Sequence, residues 1–335
     1  MVKINQDNYA YAAGRIRARE IKLLDKSRFD RMLEAQSAEE AYKVLAEAEY
    51  GLGTESIKNV YAFEALLADE MKKTYALLSE IAPDSQVVEA FKRRYDYFNV
   101  KVLLKAELSN QDVPPILVET GVFSASETVR IIRERDYEVL SPVMREAVLE
   151  VYDVFSRTRD PQAIDLILDR ASYRQFYNDL KDIRNSFVNE LADIIVDTTN
   201  IKMFVRARTL KKSLAFIQKI LLNGGKIDKN LYFSNSDKPV GDFINGLNKT
   251  EFGAELLNGL KMKENASIQA LEKAFDDYIM KYMHRAKLVT IGIEPVIAFL
   301  FAKEAEIKNV RIILTGKING LSSQIIRERL RMIYV

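Results

Sequence analysis

Three stretches of this chain repeat one arrangement of apolar and polar positions. Val100, Leu103 and Leu104, then Ile201, Phe204 and Val205, then Val310, Ile313 and Leu314 return at i, i+3 and i+4, the signature of one buried helical face. Each set is preceded by the same polar motif: Asp96, Asn99 and Lys101; Asp197, Asn200 and Lys202; Glu306, Asn309 and Arg311. At ~100° per residue the acid points into the apolar sector, Asn lies at its edge, and the base stands about a right angle away. A carboxylate facing a packed interface has to be hydrogen-bonded or paired, because burying it alone costs several kcal/mol. The Asn amide and a base from a neighbouring helix are the expected partners.

A second landmark recurs in the same order. Ser37-Ala38-Glu39-Glu40 and Ser124-Ala125-Ser126-Glu127 are capping boxes, and Pro239 takes the equivalent place in the third region, where it suits a first helical turn. Tyr50, Tyr137 and Phe252 each follow at the same interval. A weaker echo joins Leu24-Asp25-Lys26, Leu168-Asp169-Arg170 and Leu271-Glu272-Lys273. The motif asparagines stand too far apart for a short solenoid period, and they predict three diverged helical units, 1–112, 113–224 and 225–335. Residues 110–115 and Asn223-Gly224-Gly225 punctuate the boundaries. Further helices are predicted over 138–155 and 164–180, and 191–222 is compatible with one long helix. Pro295 should open a helix that Gly316 and Gly320 end. Ser322 should cap a last helix carrying Ile325, Ile326, Leu330 and Ile333. No stretch alternates as a strand does, so the class is all-α.

Composition narrows the function classes. The chain has 335 residues, 48% hydrophobic and 29% charged, with only 13 Gly and 7 Pro to break long helices. Fifty Lys and Arg face 48 acids, and a net charge of +2 gives no basic excess for nucleic acid. The absence of Cys excludes disulfide and thiolate chemistry and fits a reducing compartment. The N-terminal residues lack the apolar core of a signal peptide. The most apolar window, 289–302, is shorter than a bilayer span and is interrupted by Glu294 and Pro295. It reads as a buried helix, so any membrane association is expected to be peripheral. Arg15, Arg17 and Arg19 lie on an amphipathic first helix, and Arg17-Ala18-Arg19 is echoed by Arg206-Ala207-Arg208. These arginines are a candidate partner surface, or a solvated face.

Catalytic equipment is sparse. The single histidine, His284, stands two helical turns from Asp276 and Asp277, too far for one metal centre without another helix. No nucleophile elbow or phosphate-binding loop accompanies it. The residues favour an assembly protein with no cofactor and no metal. A helical-repeat scaffold and a magnesium-dependent helical enzyme using Asp276 and Asp277 remain as alternatives.

The run from Glu294-Pro295-Val296-Ile297-Ala298-Phe299 through Lys303-Glu304-Ala305-Glu306-Ile307-Lys308-Asn309-Val310-Arg311 resembles the closing signature of the family of V-type ATPase central-rotor C subunits, whose eukaryotic counterpart is the d subunit. Gly316 to Leu321, Ile326 to Leu330, Arg17-Ala18-Arg19-Glu20 and Asp96 to Lys105 are similar to it as well. The resemblance implies three similar helical domains around a pseudo-threefold axis, forming a funnel with an axial cavity. It implies a peripheral place on the cytoplasmic face of the membrane, where the funnel sits on the membrane rotor ring and receives the central-shaft subunits. It further implies torque transmission for proton or sodium transport without catalysis or nucleotide. The alternative is a helical-repeat scaffold unrelated to a rotary ATPase.

Overall fold

The computed structural model describes residues 4–48, 50, 60–250, 253–254 and 268–335. Among them are fifteen α-helices and no strand. The chain divides into two compact units, one built of Asp84–Phe243 and the other of Asn5–Pro83 with Ile244–Val335.

In the first unit α5 (Ser85–Leu108), α6 (Ala125–Glu134), α7 (Pro142–Thr158), α8 (Pro161–Asp182) and α9 (Ser186–Thr209) are followed by the short α10 (Leu214–Ile220) and α11 (Lys229–Phe233) and by the first residues of α12 (Val240–Asn248). Their starts are written locally. Ser124, Ser141, Asp160, Asn185, Ser213 and Asp228 each accept a backbone N–H of the first turn through the side chain. Pro142 and Pro161 occupy positions where the missing N–H costs nothing. Helix α8 packs against α5, α7 and α9. Tyr97, Val100, Leu103 and Leu104 of α5 join Val148, Val151, Ile164 and Leu168 in one core. A second centre stacks Phe204, Tyr232 and Phe243, with ring centroids 4.4 to 5.5 Å apart.

In the second unit α14 (Glu294–Ile318) is central. It packs against α1 (Ala10–Glu20), α2 (Lys26–Glu34), α3 (Ala38–Glu47), α4 (Phe63–Ile81), α13 (Ile268–Met283) and α15 (Ser323–Arg329). With neighbours on most sides it buries Ile297, Leu300, Ile307, Val310, Ile313 and Leu314, and it also buries Glu294, Lys303, Glu306 and Asn309.

Several boundaries differ from the sequence expectation. The stretch 191–222 is two helices. Lys211 takes a left-handed φ of 51°, the Lys212 N–H closes on the Ala207 carbonyl at 2.9 Å, and Ser213 caps α10. Helix α14 runs through Gly316 and stops at Gly320, whose φ is 67°. Gly316 is a packing position, since a Cβ there would lie 2.6 Å from the Ile326 side chain. The last helix ends at Arg329, so Ile333 lies on the irregular segment after it. Tyr137–Val139 forms a 3-10 turn, and the helix predicted from 138 begins at Pro142. Ser124 and Glu127 complete a reciprocal box, whereas Glu40 reaches past Ser37 to the Gln36 N–H at 2.8 Å. Pro239 stands just before α12, its carbonyl accepting from the Asp242 N–H at 3.0 Å. Phe252 lies outside the described residues.

Candidate functional site

The polar motif forms three clasps built on buried asparagines. On α5 the Asn99 amide grips the backbone of one residue at both its polar groups: Nδ2 donates to the Val118 carbonyl at 2.7 Å and the Val118 N–H donates to Oδ1 at 2.8 Å. On α9 Asn200 does the same to Leu222, at 3.2 and 2.8 Å. On α14 Asn309 does so to Arg331, at 3.0 and 2.8 Å. An Asn side chain is itself an amide, so each pair mimics a two-bond strand contact and satisfies the N–H and carbonyl of one residue. All three asparagines are buried rather than at the edge of the apolar face, because the gripped segment runs across them.

The acids hold the chain a few residues further on. Asp96 accepts from the Val122 and Phe123 N–H groups, both at 3.1 Å, and Ser124 then caps α6. Asp197 accepts from the N–H groups of Lys226 at 2.7 Å and Ile227 at 3.2 Å, and Asp228 then caps α11. Glu306 accepts from the Leu24 N–H, and Asp25 then caps α2. The partners of Asp96 and Asp197 are therefore backbone donors and not the expected base from a neighbouring helix. Glu306 does have a cation, Lys303 at 2.7 Å, but it lies on the same helix. Lys303 also pairs with Glu70 of α4 at 2.8 Å, and the Tyr50 hydroxyl donates to Glu306.

Glycine placement follows the length of the acid. A Cβ at Gly121 would lie 2.1 Å from Asp96 Oδ1, and one at Gly225, whose φ is +82°, 2.2 Å from Asp197 Oδ1. The short Asp arm reaches its donors only because the backbone comes this close. Where Glu306 supplies a longer arm, Lys22 stands at the matching place.

The helix ends match too. The Gln111, Lys212 and Leu321 N–H groups donate to the Ala106, Ala207 and Gly316 carbonyls at 2.8 to 2.9 Å, after left-handed Asn110, Lys211 and Gly320.

The motif bases do not converge. Lys101 pairs with Asp169 at 2.6 Å, Lys202 is half-buried, and Arg311 forks onto Glu64 at 2.7 and 3.0 Å. The five arginines divide as well. Arg17 donates to the Ala286 and Val289 carbonyls at 2.7 and 2.9 Å, and Arg208 to the Lys238 carbonyl at 2.8 Å. Arg15 contacts Tyr11 at 3.2 Å, while Arg19 and Arg206 are exposed. The alternative acid pair is engaged elsewhere: Asp276 holds Arg331 at 2.8 Å and Lys308, and Asp277 accepts the Met332 N–H. His284 Nε2 lies 3.2 Å from the Ile333 carbonyl. Among the described residues no group of His, Asp and Glu could hold a metal ion.

Burial pushes the Asp96 and Asp197 carboxyls up to about 6, and the backbone N–H bonds only partly offset it. Lys92 and Arg93 near Asp96 and Lys226 near Asp197 lower these values, while Asp193 raises that of Asp197. A folded-state pKa above the unfolded one means that the native state binds the proton first. The associated stability is fully present below about pH 4 and is lost as pH rises through about 6, by about 3 kcal/mol per site. Urea unfolding of Asp96→Asn/Asp197→Asn should therefore lack the gain on acidification from pH 7 to 5 that the wild type shows. Parallel pH profiles would contradict this assignment.

Buried polar side chains here grip backbone, and the fold and clasps define an all-α protein in which three long helices, α5, α9 and α14, are latched to connecting segments around them. The sequence matches the model of the ATP synthase (C/AC39) subunit family over residues 12–329, and the chain belongs to that family. It is 28% identical to the C subunit of the V-type sodium ATPase of Enterococcus hirae, across 95% of this chain and 97% of the relative. The C subunits of the A-type ATP synthases of Methanocaldococcus jannaschii and Methanosarcina mazei are 26% and 25% identical, covering 96% and 99% of this chain and 86% and 95% of theirs. Family membership removes the alternative of a scaffold unrelated to rotary ATPases. No described helix is long and apolar enough to cross a membrane.

Proposed function

We propose that this chain is the non-catalytic socket of a rotary V/A-type ATPase. It joins the central-shaft subunits to the membrane rotor ring at the cytoplasmic face and passes torque between ATP turnover and proton or sodium transport. The observation that carries the proposal is the family match over nearly the whole chain, joined to three clasps that stiffen the connections between long helices. A socket works by contact and stiffness. Buried polar groups that tie loops to helices serve that purpose, and no reacting group is needed. The chain is proposed to comprise three equivalent units, 1–112, 113–224 and 225–335, around a pseudo-threefold axis with an axial opening.

Binding assays test it. The purified chain should retain the shaft subunits and, separately, detergent-solubilised membrane rings, and it should bind no ATP in equilibrium dialysis. The shaft contact should weaken as salt rises past physiological strength, where screening acts over ~8 Å. Failure to retain either partner, or turnover of ATP by the purified chain, would remove the socket reading.

A further inference from the structure

The two most exposed large apolar side chains among the described residues are Leu288, 90% accessible, and Ile21, 83%. Both cap turns in the second unit. Ile21 ends α1, and Leu288 ends the 3-10 turn His284–Leu288. One side chain pins these turns together. Arg17, a helical turn before Ile21, donates to the carbonyls of Ala286 and Val289, on either side of Leu288. The charges nearest the tips are mainly basic. Within three residues of Ile21 and Leu288 the exposed charges are Arg19, Lys22, Arg285 and Lys287, and the one acid there, Glu20, is half-buried and engaged by Arg17 at 2.8 Å. Arg19 and Lys287 are exposed beside the two tips, Lys287 with its ammonium 4.8 Å from the Tyr334 ring centre.

We propose that this clamped pair of turns is a lipid-contact surface, on which Ile21 and Leu288 enter the interfacial layer of a bilayer and the basic side chains hold anionic headgroups. The chemistry favours lipid over a protein partner. Single apolar tips that stand almost wholly in solvent offer little flat, shape-complementary area, whereas they suit insertion between headgroups. The basic side chains beside the tips match the anionic surface of a cytoplasmic leaflet. The inference rests on the membrane-peripheral part of the proposed function and adds to it a direct contact with lipid beside the ring.

The test is co-sedimentation of the full chain with phosphatidylcholine vesicles, with and without phosphatidylglycerol. The wild type should bind only the anionic vesicles and lose binding at high salt. Ile21→Ser/Leu288→Ser and, independently, Arg19→Glu/Lys287→Glu should each lower the partition coefficient on the order of tenfold or more. Leu149→Ser, at an exposed apolar position of the first unit, should not change it. All substituted side chains are solvent-facing, so unchanged thermal unfolding confirms that the variants fold. A wild type that ignores anionic vesicles, or tip variants that bind as well as wild type, overturns the proposal. If these residues matter instead for retention of detergent-solubilised rings with no lipid binding, the surface belongs to a protein contact and the socket reading stands. A chain that binds neither sinks both.

Discussion

Replacing Asn200 with Leu should cost about 4 kcal/mol of unfolding free energy. Leucine keeps the branching and heavy-atom count of the side chain but removes both partners of the Leu222 backbone, whose N–H and carbonyl are buried with the amide. An orphaned buried donor or acceptor costs about 1–3 kcal/mol, and two are orphaned at once. The loss should also be local. Leu222 precedes the segment whose N–H groups Asp197 holds, so hydrogen exchange at Leu222, Lys226 and Ile227 should accelerate before the helices open. Asn309→Leu should cost less, since its clasp on Arg331 is only partly buried. Urea unfolding checks the magnitude, and a change below about 1 kcal/mol for Asn200→Leu would mean that the clasp is incidental.

The other large effect is expected at Lys303. Its ammonium, 8% accessible, bridges Glu306 and Glu70 and lies 4.7 Å from the Tyr50 ring centre. Lys303→Met leaves two carboxylates facing one another in a desolvated site, at a cost of about 3–5 kcal/mol. Glu306→Gln should be milder, because the amide oxygen can still accept from Leu24 or Tyr50. Lys303 then keeps Glu70. The double variant should be more stable than the sum of the single losses, the mark of a coupled pair. Additive losses in a double-mutant cycle would contradict the coupling.

The helical phase of the three Asn stretches was legible because apolar periodicity is written in each local sequence. The burial of Asp96, Asp197 and Glu306 followed from the same phase. What they hold was not legible. The donors to Asp96 and Asp197 are backbone N–H groups, which every residue but proline carries, so no side-chain type marks Val122 or Ile227 as a partner. The contact of Glu306 with Leu24 joins residues 282 positions apart, beyond any local signal. The matching helix stops share a conformation and no residue type, since Asn110, Lys211 and Gly320 all adopt positive φ. That is why the break between α9 and α10 is not visible in the apolar pattern of 191–222. Gly121 and Gly225 were the available clue. A glycine shortly before a capped helix, facing a buried Asp rather than a Glu, marks where backbone approaches a carboxylate.

The most direct test of the socket is ATP-driven ion uptake by vesicles carrying the membrane sector, reassembled with the soluble head and shaft in the presence and absence of this chain. Hydrolysis by the head should continue without the chain while uptake falls to background. Adding wild-type chain should restore uptake, and the Asn200→Leu variant should restore less of it at temperatures where its clasp is open. Undiminished uptake in the absence of the chain would contradict the socket function.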